Sequence, residues 1–87
     1  MKLFQLGEIV ITRAAFDTLC HDDVHIAIER HMTGDWGNLC YSDRLANTRD
    51  ISAGARVFTS YKDRHDMKFW IITEADRSYT TVLLPSD

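Results

Sequence analysis

Proline, glycine, cysteine and lysine are all scarce in this chain of 87 residues, and each scarcity excludes something. The single proline, Pro85, stands almost at the end, so no proline-rich linker divides the chain. Two cysteines, Cys20 and Cys40, fall short of the four or more usual in a disulfide-stapled secreted miniprotein. Residues 1–6 carry too short an apolar stretch for a secretion signal, and no run approaches the ~20 apolar residues of a membrane span. A reducing cytoplasm with both thiols free is the expected compartment.

Lysine appears only at Lys2, Lys62 and Lys68, and the net charge is −3. A sequence-independent grip on DNA or RNA comes from clustered Lys and Arg that displace counterions. The one local basic strip, from Arg56 through Lys62 and Arg64 to Lys68, has Asp63 and Asp66 inside it. Direct nucleic-acid binding is therefore the weaker expectation, and those four cations would be the residues to carry it.

What is present fits one globular domain, residues 1–87. A hydrophobic fraction of 45% and a charged fraction of 26% argue against disorder. A domain of this size buries only about 60–65% of the surface of its unfolded chain, enough for one thin core and too little for a cofactor-binding half. No cofactor and no metal site are expected.

Residues 4–11 read as an N-terminal strand with Gly7 marking a bend. Thr12 suits the N-cap of a short helix through Leu19, with Ala15, Phe16 and Leu19 on its apolar face. A second helix should start after Asp22 as N-cap, bury Val24, Ala27, Ile28 and Met32, and stop at Gly34. Residues 34–37, Gly-Asp-Trp-Gly, suggest a tight turn, with Trp36 more a core residue than an anchor. Short helical turns are expected over 42–46 and 48–53.

The last third carries the strongest pattern. Segments 56–62, 67–74 and 78–84 are rich in Val, Ile, Thr, Phe, Tyr and Trp and are separated by polar turns. They predict a three-stranded antiparallel meander, turning the second time at Asp76-Arg77 through a loop of two or four residues. Either loop sets Ile71 opposite Val82 and Trp70 opposite Leu83. The expected fold class is thus α+β: this meander, joined by the N-terminal strand and packed with two or more short helices.

Phe69, Ile71, Val82 and Leu84 then form the floor for the helices. The other face carries Lys68, Trp70, Ile72, Glu74, Tyr79, Thr81 and Leu83. A mixed aromatic, aliphatic and charged surface needs a partner, a second copy of the chain, or a cover from the chain's own remaining segments.

Between residues 31 and 85 the chain resembles a group of small proteins of plasmids, phages and other mobile elements. The resemblance is carried by His31, Gly34-Asp35-Trp36-Gly37, Asp43, Asn47, Gly54-x-Arg56, Ser60-Tyr61 and a C-terminal run. That run is Lys68-x-Trp70-Ile71-Ile72-Thr73-Glu74-Ala75-Asp76-Arg77-Ser78-x-Thr80-Thr81-x-Leu83-Leu84-Pro85. Such proteins are sometimes labelled type I restriction subunits. A methyltransferase would need a doubly wound sheet and a Gly-rich cofactor turn, which this chain lacks. The resemblance implies instead an inhibitor that binds a restriction or CRISPR effector. The family commonly has a glycine in the first hairpin turn, where Arg64-His65-Asp66 stands here, and commonly continues beyond Pro85 to an acidic residue and a tyrosine.

No candidate cluster reads as catalytic. Glu74, Asp76, Arg77 and Ser78 supply what a hairpin turn requires, and a partner-binding tip is the next reading. His21, His25 and Glu29, spaced i, i+4, i+8, line one helix row; zinc would accept such donors, but no second coordinating pair stands at a recognised spacing. Cys20 and Cys40 read as buried thiols. The residues expected to meet a protein partner are Lys68, Trp70, Ile72, Glu74, Asp76, Arg77 and Tyr79, with Asp35 as an outlying choice.

Overall fold

The computed structural model describes residues 4–35 and 54–87. The elements run β1 (Glu8–Ile11), α1 (Arg13–Thr18), α2 (His21–Thr33), β2 (Val57–Lys62), β3 (Lys68–Thr73) and β4 (Tyr79–Leu83). The domain is α+β, with one four-stranded mixed sheet in the order β1-β4-β3-β2. Trp36, Gly37, Cys40 and the helical turns expected over 42–46 and 48–53 lie outside the described residues. Among the described residues, no helix is long and apolar enough to cross a membrane.

The meander stands in the register read from the sequence, with Ile71 opposite Val82 and Trp70 opposite Leu83. Its second turn takes the four-residue option: the Glu74 N–H donates to the Tyr79 carbonyl, and the Arg77 N–H donates back to Glu74. The first strand is shorter than expected and pairs parallel to β4, Glu8 beside Tyr79 and Ile11 beside Val82. Gly7 is the reason it starts late. At φ 66° the chain bends sharply, and a Cβ there would lie 2.4 Å from the Arg77 and Ser78 carbonyl oxygens.

Phe69, Ile71 and Val82 are fully buried beneath the helices with Ala15, Leu19, Val24, Ala27 and Tyr61, and Leu84 packs against that cluster. Thr12 caps α1 as expected, accepting from the Ala15 N–H. Phe16 departs from expectation. Ala15 and Leu19 occupy the inner side of this short helix, so Phe16 is turned outward, 50% exposed, and lies against the His21 ring.

In α2 the N-cap is Cys20, not Asp22, and Asp22 and Asp23 sit in the first turn. The turn after β2 displaces the start: Asp63 accepts from the Cys20 N–H, and Asp23 receives both the backbone and the guanidinium of Arg64. Gly34 ends the helix in the left-handed region, as expected. The buried stripe is Val24, Ala27 and His31; Ile28 and Met32 are only half-buried.

His31 anchors a polar core. Its Nδ1 lies 2.7 Å from the Thr59 hydroxyl and its Nε2 lies 2.8 Å from that of Thr73. Thr73 and Thr80 hydroxyls are 2.7 Å apart, and Thr80 donates to the Leu6 carbonyl. A carbonyl only accepts, so Thr80 accepts from Thr73 and Thr73 from Nε2–H, while the single Thr59 proton is shared between Nδ1 at 2.7 Å and the Ile71 carbonyl at 3.4 Å.

Candidate interaction site

The expected partner-binding residues do not form one patch. Lys68, Trp70, Ile72, Glu74 and Tyr79 share the sheet face turned away from the helices. Lys68 and Tyr79 are exposed, whereas Trp70, Ile72 and Glu74 are half-buried. Phe58 packs its edge on Trp70, with centroids 5.3 Å apart. Ser60, directly opposite Trp70, is buried, and its hydroxyl has no hydrogen-bond partner.

Asp76 and Arg77 are occupied by the turn. The Asp76 carboxylate accepts from the backbone and hydroxyl of Ser78, which holds it below the usual carboxylate range. Arg77 adopts φ 61°, donates to the Ala55 and Glu74 carbonyls, and lies over the Phe4 ring. Asp35 belongs to the other side of the molecule. It takes two hydrogen bonds from Arg30, and its carbonyl accepts from Tyr61, whose phenol burial pushes up to about 12.

The alternative cationic strip is largely neutralised. Arg64 is held by Asp23, whose carboxyl those hydrogen bonds pull down to about 2, and Lys62 pairs with Asp66 at 3.4 Å. Arg56 and Lys68 are exposed and unpaired with any carboxylate among the described residues. Two cations without partners make a weak phosphate-tracking surface.

The histidine row is a helix face. His25 meets Glu29 at 3.5 Å, both exposed, and the His21 Nε2 donates to the Phe16 carbonyl at 2.7 Å. No three His, Cys, Asp or Glu side chains come together as metal ligands among the described residues. Asp63 is the one buried carboxylate among the described residues. Burial raises its pKa, but N–H donors from Cys20, His65 and Met67 outweigh that and leave the net shift downward. Its work is to fasten the β2–β3 turn to α2.

The surface that sequence reasoning missed lies at β1. Ile9 and Phe16, on its helix side, are each 50% exposed; on the opposite face Val10 stands 41% exposed beside Tyr79, which the sequence had already singled out. Beside the strand runs an apolar groove of about 270 Å³, with Ile9 and Ile11 on the sheet side and His21, Val24, His25 and Ile28 on the α2 side. The helix residues recur at i, i+3, i+4, i+7, a signal visible in the sequence but read there as core and solvent rows. Compared with protein-family profiles, curated proteins and solved structures, the chain finds no match. What this surface does must come from its chemistry.

Proposed function

We propose that this domain acts by binding another protein stoichiometrically, as an inhibitor of a host defence nuclease complex of the restriction or CRISPR type. The observation that carries the binding part is the grouping of exposed apolar side chains. Among the described residues, Ile9 and Phe16 stand exposed beside the groove on the helix side of β1, and Val10 and Tyr79 stand exposed on the opposite face of the same sheet edge. Apolar side chains left in water on both faces of one sheet edge are what a partner docked along that edge would cover. The carboxylates that could serve acid–base chemistry are engaged instead in holding turns, as with Asp63 and Asp76. The choice of target rests on the resemblance to mobile-element proteins, and the net negative charge suits approach to a basic nucleic-acid channel.

The test is a titration of the purified chain into DNA-cleavage reactions of a type I restriction enzyme and of a CRISPR effector complex. The expected result is loss of cleavage by one of them that saturates at a fixed molar ratio, with co-elution of the two proteins. Cleavage untouched at excess inhibitor would refute the target assignment. Inactivation far below stoichiometric amounts would point to catalysis and refute the binding mechanism.

A further inference from the structure

Among the described residues, no strand pairs with the outer edge of β1. The Glu8 N–H donates to the Ser78 carbonyl and the Thr12 N–H to that of Val82, each at 3.0 Å. Backbone groups alternate sides along a strand, so Glu8, Val10 and Thr12 face β4, and the N–H and C=O groups of Ile9 and Ile11 face away from the sheet. β1 is an edge strand of sequence Glu-Ile-Val-Ile, without the lysine, proline or bulge that usually blunts such an edge. Directly beside it lies the apolar groove whose far wall is α2.

An open strand edge next to a helix-walled apolar groove defines its occupant chemically. The edge hydrogen-bonds an extended backbone, and the groove takes that segment's alternate side chains. Charge narrows the choice further. Glu8 is exposed on the sheet face opposite the groove, where the in-between side chains of an added strand fall, and Asp22 and Glu29 are exposed one heptad apart on the solvent flank of the groove's helix wall. The rim is acidic. A second copy of this chain would bring the same acidic rim against itself, which disfavours self-pairing.

We propose that β1 receives an added strand from a partner protein, an extended segment with apolar residues at alternate positions and basic residues between them. The proposal rests on the protein-binding reading above and names the part of the partner that is held.

The probe is a nine-residue peptide of alternating Val and Lys, titrated into the isotope-labelled full chain and followed by amide chemical shifts. Saturable shifts are expected at Ile9, Ile11 and residues 21–28. Ile9→Pro deletes one outward N–H without touching the β1–β4 ladder, because proline is tolerated at an edge position whose N–H faces solvent. It should weaken the peptide about tenfold or more while melting stays cooperative, and Ile9→Val should bind like the parent. Glu8→Gln, or exchanging Lys for Glu in the peptide, should weaken binding about two- to fivefold, because the in-between lysines fall on the Glu8 face.

Absence of saturable binding, shifts confined to another face, or undiminished binding by a folded Ile9→Pro would overturn the proposal. So would a doubled solution mass that Ile9→Pro restores to monomer, since the occupant would then be a second copy. If the parent chain and Ile9→Pro inhibit a nuclease complex equally, strand addition fails and the inhibitor reading survives. If the peptide binds as expected but no nuclease complex is inhibited, the inhibitor reading fails and the strand site survives.

Discussion

Replacing His31 by Met isolates the polar core and makes its worth measurable. His31 is fully buried, and burial, reinforced by the positive charge of Arg77, lowers its pKa to about 4 from an ordinary 6.5. The unfolded chain therefore binds a proton below pH 6.5 that the folded chain refuses until about pH 4. In that window the unfolded state holds more protons, so stability falls as the pH falls and is complete only above 6.5. At 1.36 kcal/mol per pH unit, roughly 2–3 kcal/mol is lost between pH 7.5 and 4.5. Other groups do not obscure this. The carboxylates of Asp23, Asp63, Asp76 and Asp87 are held below 3.8 when folded, so their contributions vanish only at lower pH.

Urea unfolding across that range should show the midpoint dropping by roughly 1–2 M, given slopes of about 1–3 kcal/mol per molar for small domains. His31→Met keeps comparable bulk but leaves the Thr59 and Thr73 hydroxyls each one partner short. It should cost about 1–3 kcal/mol at pH 7.5 and flatten the slope between pH 6.5 and 4.5. A variant that retains the parental slope, or an imidazole of the folded parent titrating near 6.5 by NMR, would refute the assignment.

Three further outcomes follow from the same contacts. Gly7→Ala forces a Cβ against two carbonyl oxygens at a positive φ, so thermal unfolding should show a loss of about 2 kcal/mol or more, and amide exchange should reveal a frayed β1. Asp63→Ala strands three backbone donors in a site with no exposed side-chain surface, and chemical denaturation should register about 3 kcal/mol, with Asp63→Asn recovering part of it. Asp66 sits at φ 66°, a conformation glycine adopts without strain, so Asp66→Gly should leave the melting point unchanged or raise it, by up to about 1 kcal/mol of stability.

Much of the fold was legible along the chain because it depends on near neighbours. The Thr12 cap, the Gly34 stop, the three C-terminal strands and the Ile71–Val82 register all follow from local turn chemistry and alternating hydrophobicity. The start of α2 was misread because Asp63, 43 residues distant, supplies the carboxylate that ties down the Cys20 N–H. His31 was left out of the buried stripe assigned to Val24, Ala27, Ile28 and Met32, although it continues the Val24–Ala27 spacing by one further turn. Its partners Thr59 and Thr73, and Thr80 beyond them, come from three different strands, and periodicity within one segment cannot show a polar side chain satisfied by others.

The site divides in the same way. Composition and strand patterning determined that an amphipathic sheet would exist and that its helix-facing side would be the core. Which apolar residues stay in water was decided by tertiary structure alone. The parallel pairing of β1 with β4 places a short unprotected strand at the edge of the sheet and sets α2 across a groove from it. Edge and groove are relations between segments far apart in the chain, and hydrophobic pattern specifies which side of a strand is buried, not which strand lies last.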